Sequence, residues 1–245
     1  MRFSRKKKID WESQAYKHAR YHYLLQIIYG ESLATNYCSI MSTFAPTKEA
    51  RDFLLQQQKE EDMHLELLTD VVAHMDRPNE HISSHMSKLH KLMEPALEEK
   101  DWPTCILVQN FIVEGLAVTL CEQQGEYGDD VIHKVFSTII KDEVRHVAFG
   151  VQELKKILET DTNGLIRKKL IRIQRKALYH AVMLFKELAP DAGSLGMEWD
   201  DLAEKVVRDH MDRITQAGFH LPFFDRMFLK AAIVFFCSNM TDDKS

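Results

Sequence analysis

The chain is poor in cysteine, glycine and proline. Only four cysteines occur in 245 residues, at Cys38, Cys105, Cys121 and Cys237. None forms a C-x-x-C pair, so a zinc ribbon and a disulfide scaffold are excluded, and a reducing, cytoplasmic setting is expected. Nine glycines and six prolines leave few interruptions, and the elements between them should be long helices. No secretory-type apolar stretch follows the basic start Met1–Lys8. The longest strongly apolar run, Ala231 to Cys237, is far too short for a bilayer, so no transmembrane segment is expected. Basic charge is not in excess either. Lysine plus arginine number 32 against 37 acids, a net charge of −5, which argues against a nucleic-acid binder. What the chain does have is twelve histidines beside those 37 acids. A metal held here would meet carboxylate and imidazole rather than thiolate.

Breakers divide the chain at Pro46, Pro78, Pro103, Gly125 to Asp130, Gly164, and Pro190 to Gly193. Helical apolar spacing fills the intervals. It predicts bundle helices over about 10–44, 47–76, 103–124 and 129–159, with a shorter segment over about 79–100. Accessory helices are expected over about 164–188, 197–218 and 221–237. Pro103 suits a first turn, where its missing N–H costs nothing, and Asp129 or Asp130 suits an N-cap. There is no β-alternation and no linker, so residues 1–245 read as one all-α domain. The long segment between the second and third bundle helices can carry the chain from one end to the other. One long crossover is the connectivity of a ferritin-like four-helix bundle.

The chemistry sits in two Glu-x-x-His motifs, Glu61 to His64 and Glu143 to His146. Three positions apart on a helix, carboxylate and imidazole share one face. Each motif is preceded, one helix earlier, by a lone glutamate in an apolar run: Glu31 thirty positions before Glu61, and Glu114 twenty-nine before Glu143. The half-site is therefore written twice. Two facing hairpins would bring four glutamates and two histidines into one bundle core, the di-iron or di-manganese carboxylate pattern. Buried carboxylates alone are costly, and two divalent cations make four of them tolerable. Hard oxygen donors with two imidazoles suit Fe(II) or Mn(II), as an iron pair or a manganese–iron pair.

Positions three, four and seven after each lone glutamate share its face. They are Ala34, Thr35 and Cys38 after Glu31, and Ala117, Val118 and Cys121 after Glu114. Small and mostly apolar, they are candidate walls of a cavity for an apolar substrate. Tyr37 should point away from Glu31. His18, His22, His74, His81, His85, His90 and His133 read as surface residues. Arg167, Lys168, Lys169, Arg172, Arg175 and Lys176 form a basic face, read first as solvated and second as a docking face for an acidic partner. No flavin or nicotinamide fingerprint is present, so electrons for an O2 reaction would come from an external donor such as ferredoxin and its reductase.

At these residues the sequence resembles the ferritin-like di-iron carboxylate superfamily and, within it, the aldehyde-deformylating oxygenases, which convert long-chain fatty aldehydes to alkanes plus formate. The similarity runs over about residues 14–240. It includes Thr104 to Glu114 (TCILVQNFIVE), Lys141 to His146 (KDEVRH) with Phe149 and Gly150, and Leu195 to Leu202 with Ala217 to Phe219. The resemblance implies Glu31, Glu61, His64, Glu114, Glu143 and His146 as metal ligands, with Gln109 and Asp142 as polar residues supporting them. Two positions depart from the family: Met63 stands where it has Arg, and Cys121 where it has Tyr. Two other functions use a related bundle, namely iron storage or peroxide scavenging, and di-iron hydroxylation of modified tRNA. The chain lacks the four-cysteine iron site of rubrerythrins, and its net charge weighs against tRNA.

Overall fold

The computed structural model of the chain describes residues 9–75, 81–197 and 199–219. Among these the regular elements are all helical. The two longest hairpins carry the bundle. In the first, α1 (Gln14–Ser42) turns back through a five-residue connection into α2 (Lys48–Ala73). In the second, a long helical segment, 102–127, turns at Gly128 and Asp129 into α7 (Asp130–Thr160). Short connections of this kind make antiparallel neighbours. The starts are fixed by side chains that satisfy orphan amides. Ser13 accepts from Tyr16 N–H, Thr47 from Ala50 N–H, and Asp129 from Val131 and Ile132 N–H. The expected Asp129 cap is therefore present.

The crossover between the hairpins is broken into α3 (Ser84–His90) and α4 (Glu94–Glu98) rather than one helix. It crosses α1 and packs on α8 (Leu165–Ala192). α8 begins after Gly164 at φ +68°, a left-handed position that favours glycine. It runs past Leu188 and through Pro190 to Ala192, further than the sequence suggests. The proline lies in the last turn, where only one bond is lost, and Ala189 and Ala192 are buried and hold that turn to the core. α9 (Trp199–Gln216) then lies on the second hairpin. The expected helix over 221–237 lies outside the described residues.

The segment 102–127 is not one uniform α-helix. α5 (Trp102–Ile106) leads into a π-helical stretch, Leu107–Val113, and then into α6 (Glu114–Tyr127). By length and composition the run Trp102–Glu126 is apolar enough to cross a membrane, although polar residues interrupt it. Its most apolar 18-residue stretch is nevertheless 89% buried inside the bundle, the position of a core helix. Tyr23, Leu24, Leu54, Leu68, Phe111 and Phe136, from four of these elements, are fully buried and form the core there.

Candidate metal centre

The six carboxylate and imidazole residues converge. Glu31 from α1, Glu61 and His64 from α2, Glu114 from α6, and Glu143 and His146 from α7 are all at most 5% exposed. Two groups of four can each hold an ion, with ligand atoms within 4.8 Å of one another: Glu31, Glu61, His64 and Glu143, then Glu61, Glu114, Glu143 and His146. Glu61 and Glu143 belong to both groups. Glu61 turns Oε2 to His64 Nδ1 (3.3 Å) and Oε1 to His146 Nδ1 (3.2 Å). Glu143 does the same with Oε1 (3.2 Å) and Oε2 (3.8 Å). Glu31 and Glu114 close the two ends, 3.6 and 3.9 Å from the nearer imidazole. This is the geometry of two cation positions bridged by two carboxylates, with one glutamate and one histidine at each end.

The donor atoms fit cations better than they fit one another. Glu61 Oε2, both oxygens of Glu143, and Nδ1 of His64 and His146 are buried without a hydrogen-bond partner. Native proteins seldom leave so many orphans together. Burial pushes the Glu31 and Glu114 carboxyls well up, and the charge of Glu61 adds to it. Burial also acts on Glu61 and Glu143, but the two imidazoles 3.2–3.8 Å away outweigh it and hold both low. Against their own burial, the imidazoles are raised by the carboxylates they face, Glu143 first for His64 and Glu114 first for His146. The metal-free cluster thus sets raised carboxyls at its two ends against lowered ones between the two imidazoles.

Around the six lies a layer that holds them in place. Gln57 donates to Glu61 Oε1 (2.9 Å) and Glu114 Oε1 (2.8 Å), and Gln109 donates to Glu114 Oε1 (2.6 Å). Asn110 donates in turn to Gln57 (2.7 Å). Gln109 and Glu114 are five residues apart, and the π-helical stretch, with its i→i+5 spacing, brings them together. On the outer side His64 Nε2 lies 3.4 Å from Asp142, and His146 Nε2 lies 2.9 Å from Glu60. Arg145 joins these two acids, 2.5 Å from Glu60 and 3.0 Å from Asp142. Each acid precedes one motif's glutamate and supports the other motif's histidine. The sequence reading named Gln109 and Asp142 and missed Gln57, Glu60, Asn110 and Arg145. Glu60 had a visible signal, since an acid stands before both Glu-x-x-His motifs. Met63, which departs from the family's arginine, is 38% exposed, and here the guanidinium beside the acids comes from Arg145.

A narrow apolar cavity of about 50 Å³ opens beside the cluster, walled by α1, α6, α3 and α8. Ala34 and Ala117 line it as expected. Thr35, Cys38, Val118 and Cys121 do not; the walls are instead Ile27, Gly30, Val113, Leu116 and Leu120, with Met86, Leu89, Leu184 and Phe185. The reason is rotational. The glutamates point across the bundle, and the cavity lies to one flank of that line on both helices, at one position before and three after each glutamate. Cys38 and Cys121 instead sit by the carboxylates, where burial first and neighbouring acids second push their thiols well up.

Other expectations fare unevenly. Tyr37 does point away, its hydroxyl donating at 3.4 Å to His90 C=O. His90 is not on the surface: it is 1% exposed, its ring set between Tyr29 and Tyr37. Of the basic face, Arg167 donates to Gly218 C=O and Lys169 pairs with Asp101, so part of it serves the fold.

A family model for long-chain fatty aldehyde decarbonylases matches residues 13–233. Among solved structures, a Synechococcus protein with aldehyde deformylating oxidase activity superposes with a TM-score of 0.76 at 19% identity, over 86% of this chain and 95% of that one. At that identity the likeness speaks for the fold, a ferritin-like bundle. With the family's pattern running across both hairpins and all six converging residues, the chain belongs to the long-chain fatty aldehyde decarbonylase family.

Proposed function

We propose that the protein is a non-haem di-iron oxygenase that deformylates a long-chain fatty aldehyde to an alkane, the carbonyl carbon leaving as formate. The observation that carries this reading is the polarity of the cavity. Of its wall residues only Glu31 and Glu114 have polar side chains, and both belong to the carboxylate cluster. An apolar chain lying along Ile27, Val113, Leu120 and Phe185 can turn its one polar end only toward that cluster.

Two irons held by the six residues supply, when bound, the redox chemistry that reduces O2; manganese with iron suits the same donors. The chain's own residues bind and orient. Gln57 and Gln109 occupy Oε1 of Glu114 and leave Oε2 for the cluster. Leu116, Leu120 and Phe185 keep water from the cavity. Electrons come from an external donor of the ferredoxin type.

The test is anaerobic loading with Fe(II), then O2, a ferredoxin–reductase couple, and hexadecanal or octadecanal. Formate and the alkane one carbon shorter are expected together. A protein that binds two irons and yields neither overturns the reading. Ala117→Phe should fill the cavity and cut alkane yield at least tenfold, with iron content unchanged.

A further inference from the structure

Away from the carboxylate cluster, two histidines meet where the crossover packs on α8. Nδ1 of His85 lies 3.1 Å from Nδ1 of His180. The rings sit 5.4 Å apart, with the Tyr179 ring edge-on to both. Glu187 Oε1 lies 3.8 Å from the far nitrogen of His85, and its other oxygen accepts from Ser83 Oγ. We propose that the Nδ1 atoms of His85 and His180 form a binding site for a borderline transition-metal ion (Cu²⁺, Ni²⁺ or Zn²⁺), separate from the carboxylate pair.

Two imidazole nitrogens on one tetrahedral ion, each about 2.0–2.1 Å from it, stand about 3.4 Å apart. The two Nδ1 atoms are already close to that separation, so an ion can replace the proton they share with a small rotation of either ring. Glu187 stands on the Nε2 side of His85, 3.8 Å away, where a small side-chain rotation would set it as the carboxylate behind a metal-bound histidine and leave Nδ1 as the ligand. Imidazole pairs select Cu²⁺, Ni²⁺ and Zn²⁺ over Mg²⁺ and Ca²⁺. Both residues are partly open to solvent, and water can complete the coordination. The position has a consequence for the cavity. His85 precedes Met86, and His180 stands one turn before Leu184; both of those neighbours are cavity walls. An ion here ties α3 to α8 at the outer wall.

The experiment adds Cu²⁺ stepwise to untagged, iron-loaded protein and follows bound copper, its nitrogen couplings by electron paramagnetic resonance, and iron content. One copper per chain with nitrogen ligation and retained iron is expected. His85→Ala and His180→Ala should each weaken that site at least tenfold, and Glu187→Gln by a few-fold, with circular dichroism unchanged. Ni²⁺ should raise the melting temperature of the wild-type protein and not of either histidine variant. Equal copper affinity in wild type and both variants overturns the proposal. So does release of iron by the first equivalent, which would place copper in the carboxylate cluster. A lower melting temperature in the variants with copper binding unchanged also overturns it and leaves only an imidazole–imidazole hydrogen bond.

Discussion

At the scale of single residues, each ligand depends on polar neighbours that fix its orientation, and only two of these, Gln109 and Asp142, could be read from the sequence. Glu31, Glu61, His64, Glu114, Glu143 and His146 announce themselves by spacing, which is local. Gln57, Glu60 and Arg145 act across helices, and their partners lie 57, 86 and 85 positions away. Carboxylates behind metal-bound histidines commonly contribute 10–100-fold in metal affinity. Glu60→Gln should therefore weaken iron binding by about that factor and leave the helical content intact, as measured by competition with a chelator; unchanged affinity would show that Glu60 does not orient His146. His90 failed for a different reason. Polarity marked it as a surface residue, yet it is buried with neither ring nitrogen bonded, and burial lowers it to about 4. Between its usual value near 6.5 and about 4, the unfolded chain takes up a proton that the folded chain refuses. Stability must fall as pH falls through that window, by about 3 kcal/mol at most. His90→Leu should flatten the dependence of urea midpoints on pH between 6.5 and 4, and an unchanged slope would refute it.

Among the elements, helix identity followed from apolar period and breakers, while helix geometry did not. The π-helical stretch lies inside the most apolar segment, where nearly every position is buried and periodicity carries no phase. A Cβ on Gly150 of α7 would stand 2.7 Å from the backbone of Asn110, so α7 and the π-helical stretch touch through a glycine. Gly150→Ala should push Asn110 off Gln57, cost about 1–3 kcal/mol as overpacking does, and weaken metal binding as well. Gly125 in α6 is the control. Its Cβ would meet only Phe136, at an ordinary 4.0 Å. Gly125→Ala should be neutral or stabilising, by up to about 1 kcal/mol, because alanine favours helix. Thermal melts of the two variants should move in opposite directions, and a shared direction would show that Gly150 is not the contact that matters.

For the whole molecule, the site opposes the fold until cations arrive. Four carboxyls in a dry core cannot all ionise, and Glu31 keeps its proton above the ordinary carboxylate range chiefly because it is buried, with Glu61 adding to the effect. A carboxyl whose folded value is raised binds its proton more tightly folded than unfolded. Stability is then fully present below about pH 4.5 and is lost as pH rises toward the folded value. At neutral pH the metal-free protein bears that cost, and a glutamine at position 31 does not. Glu31→Gln should raise the metal-free melting temperature at pH 7, with a gain of about 1 kcal/mol corresponding to about 2–4 °C. The gain should vanish near pH 4, where Glu31 is protonated in both states. With iron present the order reverses, because the variant has lost a donor at one cation position while the wild-type protein gains the full binding energy of both ions. Four melts decide it: wild type and variant, each metal-free and iron-loaded. A variant less stable than wild type in both states would show that Glu31 serves packing and not the metal.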